Sequence, residues 1–349
     1  MEGYKMAKNI SENQEEHTVV LSIGHAHMLA QAATIMRDYS ELQSIAESVL
    51  TNANIFGNAA EYHNLSSEYA RADDYYNAFM VVQKGLRQYP YDVDLLADAI
   101  RFGSYCSKFD ECEKYKETLK SRPRGAWNWR AFTFLIDYLI EKVGMSEKDL
   151  IMPTLDEALS TALEYKRVLQ LEEKAYIAES EVRLLRERYI RESDNPESAI
   201  EEHRLAKVAL ETAIKNESIV SVQCSLKYAD MLFEERQYKE VIQICTDALK
   251  CVETQPSARI AYFKYLSALS KDALLRKDGA FADKKRVEDV LNEYSVVYQV
   301  IDERTYEGNA KTRAALLAAE TAVELPEVFQ ESASSLSDII SKLSAIRES

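Results

Sequence analysis

Five histidines and five cysteines are the side chains of this 349-residue chain best suited to metal or nucleophilic chemistry, and their spacing argues against both. His25 and His27 are two apart, so on a helix they point in different directions. Cys106 and Cys112 are six apart, also off one face. No Cys-x-x-Cys or His-x-x-x-His occurs, so the ligand spacing of a metal site is missing. A cysteine nucleophile needs a base and an orienting partner, and the sequence identifies no such set. Neither G-x-G-x-x-G nor G-x-x-x-x-G-K-[ST] is present to cradle a phosphate. Adjacent carboxylates such as Glu172-Glu173 and Glu201-Glu202 read as solvated surface in a chain with 58 acidic residues. The expectation is a protein with no catalytic residue, no cofactor and no metal.

The elements that would position any site are helices. There are nine glycines and six prolines, and none of the glycines lies between Gly144 and Gly279. Helix interiors disfavour Gly and Pro by roughly 1 and 3 kcal/mol relative to Ala, so their scarcity predicts long helices with short connections. Net charge is −15, from 58 acidic and 43 basic residues, which disfavours nucleic acid as a main ligand. Residues 141–202 carry 16 acids against 9 bases, which reads as a solvated helix surface or an acidic docking patch. An odd cysteine count without a paired framework fits a reduced, cytoplasmic chain. The first 17 residues are polar and resemble no secretory signal, and no run of about 18 apolar residues is present to span a membrane.

A repeat organises these helices. Residues 59–92 hold Tyr62, Leu65, Ser66 and Tyr69, then Tyr75 and Ala78, then Val82, Gly85, Leu86 and Pro90. The large residues form stripes on two helices, and the small ones let those helices approach. Phe109 and Cys112 lie 34 residues after Tyr75 and Ala78, and Leu119 lies 34 after Gly85. Tyr39, Ala46 and Leu50 sit about one period upstream, and 221–251 repeats the pattern with Tyr228, Ala229, Leu232, Tyr238, Val241, Cys245 and Ala248. Asn195-Pro196 reads as a helix start. Thr154 to Glu157 reads as a capping box that restarts a helix after the segment EKVGMSEKDLIMPT. These residues resemble the tetratricopeptide repeat, whose unit has 34 residues.

The resemblance implies an all-α solenoid, a right-handed superhelix of antiparallel helix-turn-helix repeats. The expected organisation is a flexible segment over 1–16, repeats over 17–140, an insertion or irregular connection over 141–154, repeats over 155–304 and capping helices over 305–349. First helices would line a concave groove that holds a partner protein or peptide, which makes the chain an adaptor or regulatory subunit. Concave positions of the family fall here on His63 and Ser67, then Asp94, Arg101 and Ser104, then Trp127, Arg130, Phe134 and Asp137. His63, Ser67, Arg101, Trp127, Arg130 and Phe134 are the expected partner-binding residues. Trp127 and Phe134 can equally bury against the neighbouring helix. The subgroup that clamps chaperone tails uses paired Lys, Asn and Arg, where this chain has His63, Ser67, Ala97 and Arg101, so that activity is not expected. An alternative is a peptide-sensing signalling regulator in which 141–154 acts as a hinge. A helical nuclease would need an arginine four to six residues before a histidine, and the nearest before His203 is Arg191.

Overall fold

A computed structural model of the chain describes residues 22–192, 195–219, 221–251 and 258–278, with individual helical positions between 285 and 297. The segments 1–16 and 305–349 lie outside the described residues, as does most of the helix expected over 281–303. All regular structure among the described residues is helical. It forms an α-solenoid in which helical hairpins follow one another and pack on their neighbours. Two compact units divide the chain, Met1–Ala206 and Lys207–Ser349.

The first unit holds α1 (Ile23–Met36), α2 (Tyr39–Thr51), α3 (Ala59–Arg71), α4 (Tyr75–Gln88), α5 (Val93–Tyr105) and α6 (Phe109–Lys120). It continues through a 3-10 turn (Arg124–Ala126) to α7 (Trp129–Val143), α8 (Lys148–Val168), α9 (Glu173–Glu192) and the start of α10 (Pro196–Lys215). The second unit contains α11 (Val222–Glu234), α12 (Tyr238–Cys251) and α13 (Ala258–Asp278).

Polar caps start these helices. Ser22, Asp38, Asn58, Asp74, Asp92 and Asn128 each accept a backbone N–H from the first turn that follows. Asn58 and Glu61 complete a capping box. The hairpins turn on a left-handed residue: Arg37 (φ 54°), Asp73 (φ 59°), Ser107 (φ 57°) and, in the second unit, Arg236 (φ 61°). The next N–H then bonds back to a carbonyl of the preceding helix's last turns. Asp38 reaches Ala33 at 2.9 Å, Asp74 reaches Tyr69 at 2.9 Å, Lys108 reaches Gly103 at 2.8 Å and Gln237 reaches Leu232 at 2.8 Å.

Within the first unit the odd-numbered helices α1 to α9 pack in one row and α2 to α4 in a second. Tyr62, Leu65, Ser66, Tyr69, Ala78, Val82, Gly85 and Leu86 are all buried, as their positions in the repeat predict. Tyr69 donates to the Leu42 carbonyl at 3.1 Å, and Gln88 donates to the Tyr62 hydroxyl at 2.8 Å, so both deep tyrosines keep a polar partner. Lys84 caps the carbonyl end of α2 by donating to Val49 and Asn52 at 2.7 and 2.6 Å. In the second unit Ala229, Leu232, Val241, Cys245 and Ala248 form one core with Phe263 and Leu266. Burial pushes the Cys112 and Cys245 thiols up to about 12, consistent with small apolar fillers and not with nucleophiles.

The segment 141–154 departs from expectation. Its irregular part is confined to the short turn over 144–147, with helix on both sides. Helix α7 runs on to Val143, and α8 is a single helix from Lys148 with Pro153 inside it. Thr154 does not cap. Its hydroxyl donates to the Leu150 carbonyl at 2.8 Å, inside the helix. Asn195 does cap α10, accepting from the Ser198 amide at 3.3 Å. Most acids of the acid-rich stretch are exposed or half-exposed, and two on α9 are buried. Glu179 and Glu187 are 4% and 8% exposed. Arg183 bonds Glu179 and Glu202 at 2.9 Å each, Arg186 bonds Glu202 at 2.8 Å, and His203 meets Glu187 at 2.8 Å. These charges tie α9 to the start of α10, where their excess is neutralised by direct pairing.

Close approach of α3 and α4 depends on Gly85. A Cβ there would meet Tyr62 Cβ and Cγ at 2.9 Å and Leu95 at 3.1 Å. Gly85→Ala should gain about 1 kcal/mol of helix propensity yet lose about 1–3 kcal/mol by overpacking, and lower the urea midpoint. Gly125→Ala, with nothing within 4 Å, should leave the midpoint unchanged. An undiminished midpoint for Gly85→Ala would contradict this packing.

Candidate functional site

The inner row of the first unit gathers polar and aromatic side chains from α3, α5, α7 and α9. His63 on α3 is the first. Its Nδ1 contacts the Asp98 carboxylate on α5, and its Nε2 contacts the Arg130 guanidinium on α7. A guanidinium can only donate, so Nε2 accepts and Nδ1 carries the hydrogen to Asp98. Asp98 is 2% exposed. Burial raises its pKa, opposed by the hydrogen bond from His63 and the charge of Arg130. Arg130 also lies 3.9 Å from Asp94, which accepts from Asn128 at 2.7 Å. Side chains of α3 and α7 therefore meet on this face across the intervening α5.

Arg101 on α5 stands beside this relay. Its guanidinium lies over Phe134 at 4.6 Å, with Phe102 and Tyr105 at 5.7 and 6.0 Å. Phe134 meets Trp129 edge-on at 6.2 Å, and Lys174 from α9 lies over Trp129 at 3.6 Å. Asp137 is exposed on the same face of α7. Although the side chain keeps solvent contact, the surrounding helices partly dehydrate its carboxyl and lift it to about 6. Glu181 and Glu141 add to that shift, and Arg101 and Lys174 oppose it.

Five of the six residues singled out from the sequence therefore meet here or beside it. His63 and Arg130 touch, Arg101 and Phe134 stack, and Ser67 lies half-buried on α3. Trp127 does not. It is 2% exposed, packed on Phe132 at 4.9 Å and under Arg124 at 3.9 Å, so it belongs to the core. The reason is a change of stride. Inner helices begin at 59, 93 and 129, giving steps of 34 and then 36 residues. A constant 34 places Trp127 on the helix, whereas it precedes the Asn128 cap. Asp98, Trp129 and Lys174 went unnoticed. The repeat register marks none of the three, and Lys174 is one surface lysine among many in the sequence.

Among the described residues no group of three His, Cys, Asp or Glu side chains is placed to hold a metal. None of the described helices is long and apolar enough to cross a membrane. What the arrangement offers is a fixed surface of cations on aromatic shelves, suited to recognition.

No protein-family model matches the chain. No curated protein matches it either. Among solved structures, the chain is similar to one described as a circular tandem repeat protein with novel repeat topology and enhanced subunit contact surfaces. The identity is 13%, over 93% of this chain and 84% of that chain, with a TM-score of 0.26. A TM-score of that size transfers no function.

Asp137 yields a pH prediction. Its folded value of about 6 lies above the ordinary 3.8, so ionisation costs stability progressively as pH rises from 3.8 to about 6. Asp137→Asn should raise the thermal midpoint near neutral pH, and the difference should vanish below the ordinary carboxyl value. A difference that persists in acid would show that the effect is packing and not charge.

Proposed function

We propose that the chain is a tetratricopeptide-type adaptor whose first unit holds an extended segment of a partner protein along its inner row. The observation that carries this reading is the His63–Asp98–Arg130 relay. It locks side chains of three successive hairpins into one concave surface before any partner arrives. Preorganisation of that kind lowers the ordering cost of binding. The hairpin turns at Arg37, Asp73 and Ser107 recur at steps of 36 and 34 residues, which supports the tetratricopeptide assignment. Binding, not turnover, is the proposed role, since both ring nitrogens of His63 are already engaged. Reduced Cys106, Cys112 and Cys245 suit the cytoplasm as its compartment. The alternative, a peptide-sensing regulator with a hinge at 141–154, would flex at the short turn between α7 and α8.

Photo-crosslinking tests the reading. A photoreactive phenylalanine replacing Ser67 on the inner row should trap partner adducts in native lysate. The same residue replacing exposed Lys114 on α6 should trap far fewer. Equal yields at the two positions would remove the inner row as the binding surface.

A further inference from the structure

Most cations of the first unit's interior are spoken for by carboxylates, as Lys166, Arg183 and Arg186 are. Arg101 and Lys174 differ. Each lies on an aromatic ring of α7, Arg101 on Phe134 and Lys174 on Trp129, and neither has a hydrogen bond or ion pair to a carboxylate among the described residues. The rings hold the two heads in place and leave their N–H donors open. An aromatic face supplies attraction without consuming those donors. Such a cation is ready to accept a carboxylate by charge-assisted hydrogen bonds.

We propose that Arg101 and Lys174 form a two-point anion site on the inner row that recognises an acidic segment of a partner protein through its Asp or Glu side chains. This rests on the inner-row reading above and names the chemistry of what is held there. The chain as a whole carries −15, so it repels acidic peptides in general and would take one only where local cations are concentrated. Asp137 lies within electrostatic range of both. Facing it are Arg101 from α5, Glu141 from its own helix, and Lys174 and Glu181 from α9. Glu141 is occupied by the Ser104 hydroxyl. Asp137, whose carboxyl sits at about 6, therefore sheds its charge on mild acidification and stops competing for the two cations. Binding of an acidic segment should tighten as pH falls through that value.

The test uses the full chain and two fluorescein-labelled probes, decaglutamate and decalysine, read by anisotropy at low salt. Decaglutamate should bind in preference to decalysine. Arg101→Gln and Lys174→Gln should each weaken it about tenfold, the loss of one charge-assisted contact. Asp137→Asn should tighten binding at neutral pH and abolish the gain on acidification. Preference for decalysine would overturn the proposal and make the face a cation site. So would decaglutamate binding indifferent to both cation substitutions. If the Ser67 adducts persist in that case, the inner-row reading stands and only the acidic-segment assignment falls. If the adducts are absent as well, both fall.

Discussion

A hairpin of two short helices cannot bury its apolar stripe alone, and in this chain side chains that reach to the adjacent repeat join the stack. Asn77 donates to Gln43 at 3.0 Å, Tyr89 to the Gly57 carbonyl at 2.8 Å, Gln83 to the Tyr115 hydroxyl at 3.1 Å and Asn128 to Asp94 at 2.7 Å. Lys84 does the same for the carbonyls that end α2. Each bond joins positions about one repeat apart, so adjacent hairpins are linked by polar pairs. Typical bonds of this kind contribute about 1 kcal/mol apiece. The stacking is therefore specified by polar pairing as well as by apolar area.

The same reach produces the functional surface. His63, Asp98 and Arg130 belong to three hairpins, and their contact is the inner-face counterpart of the bonds elsewhere in the stack. Because the relay uses both ring nitrogens, its members are committed to one another. The groups left over, Arg101 and Lys174 on their aromatic shelves, are those with capacity for something outside the chain. On the function proposed, structural and recognition roles fall on different residues of one face.

The helical period, the small residues at Ser66, Ala78 and Gly85, and the buried tyrosines were legible because they obey a fixed spacing that packing demands. The hairpin turns were not, since Arg37, Asp73 and Ser107 occupy a left-handed conformation that glycine or asparagine would have signalled. Trp127 was misplaced because the connection before α7 adds two residues, and nothing in the local composition marks the addition. The segment before Thr154 looked irregular because of Pro153, which the early turns of α8 accommodate. The acids of α9 looked like surface because their arginine partners Arg183 and Arg186 are set by helix packing, which no short-range pattern encodes.

The account stands on α3 and α7 being coupled across α5. A double-mutant cycle of His63→Ala and Arg130→Ala, read by chemical denaturation of the full chain, measures that coupling. Contact between the two side chains predicts an interaction energy of about 0.5–3 kcal/mol. Additive losses would mean that the two residues do not meet, and the preorganised concave face would lose its foundation.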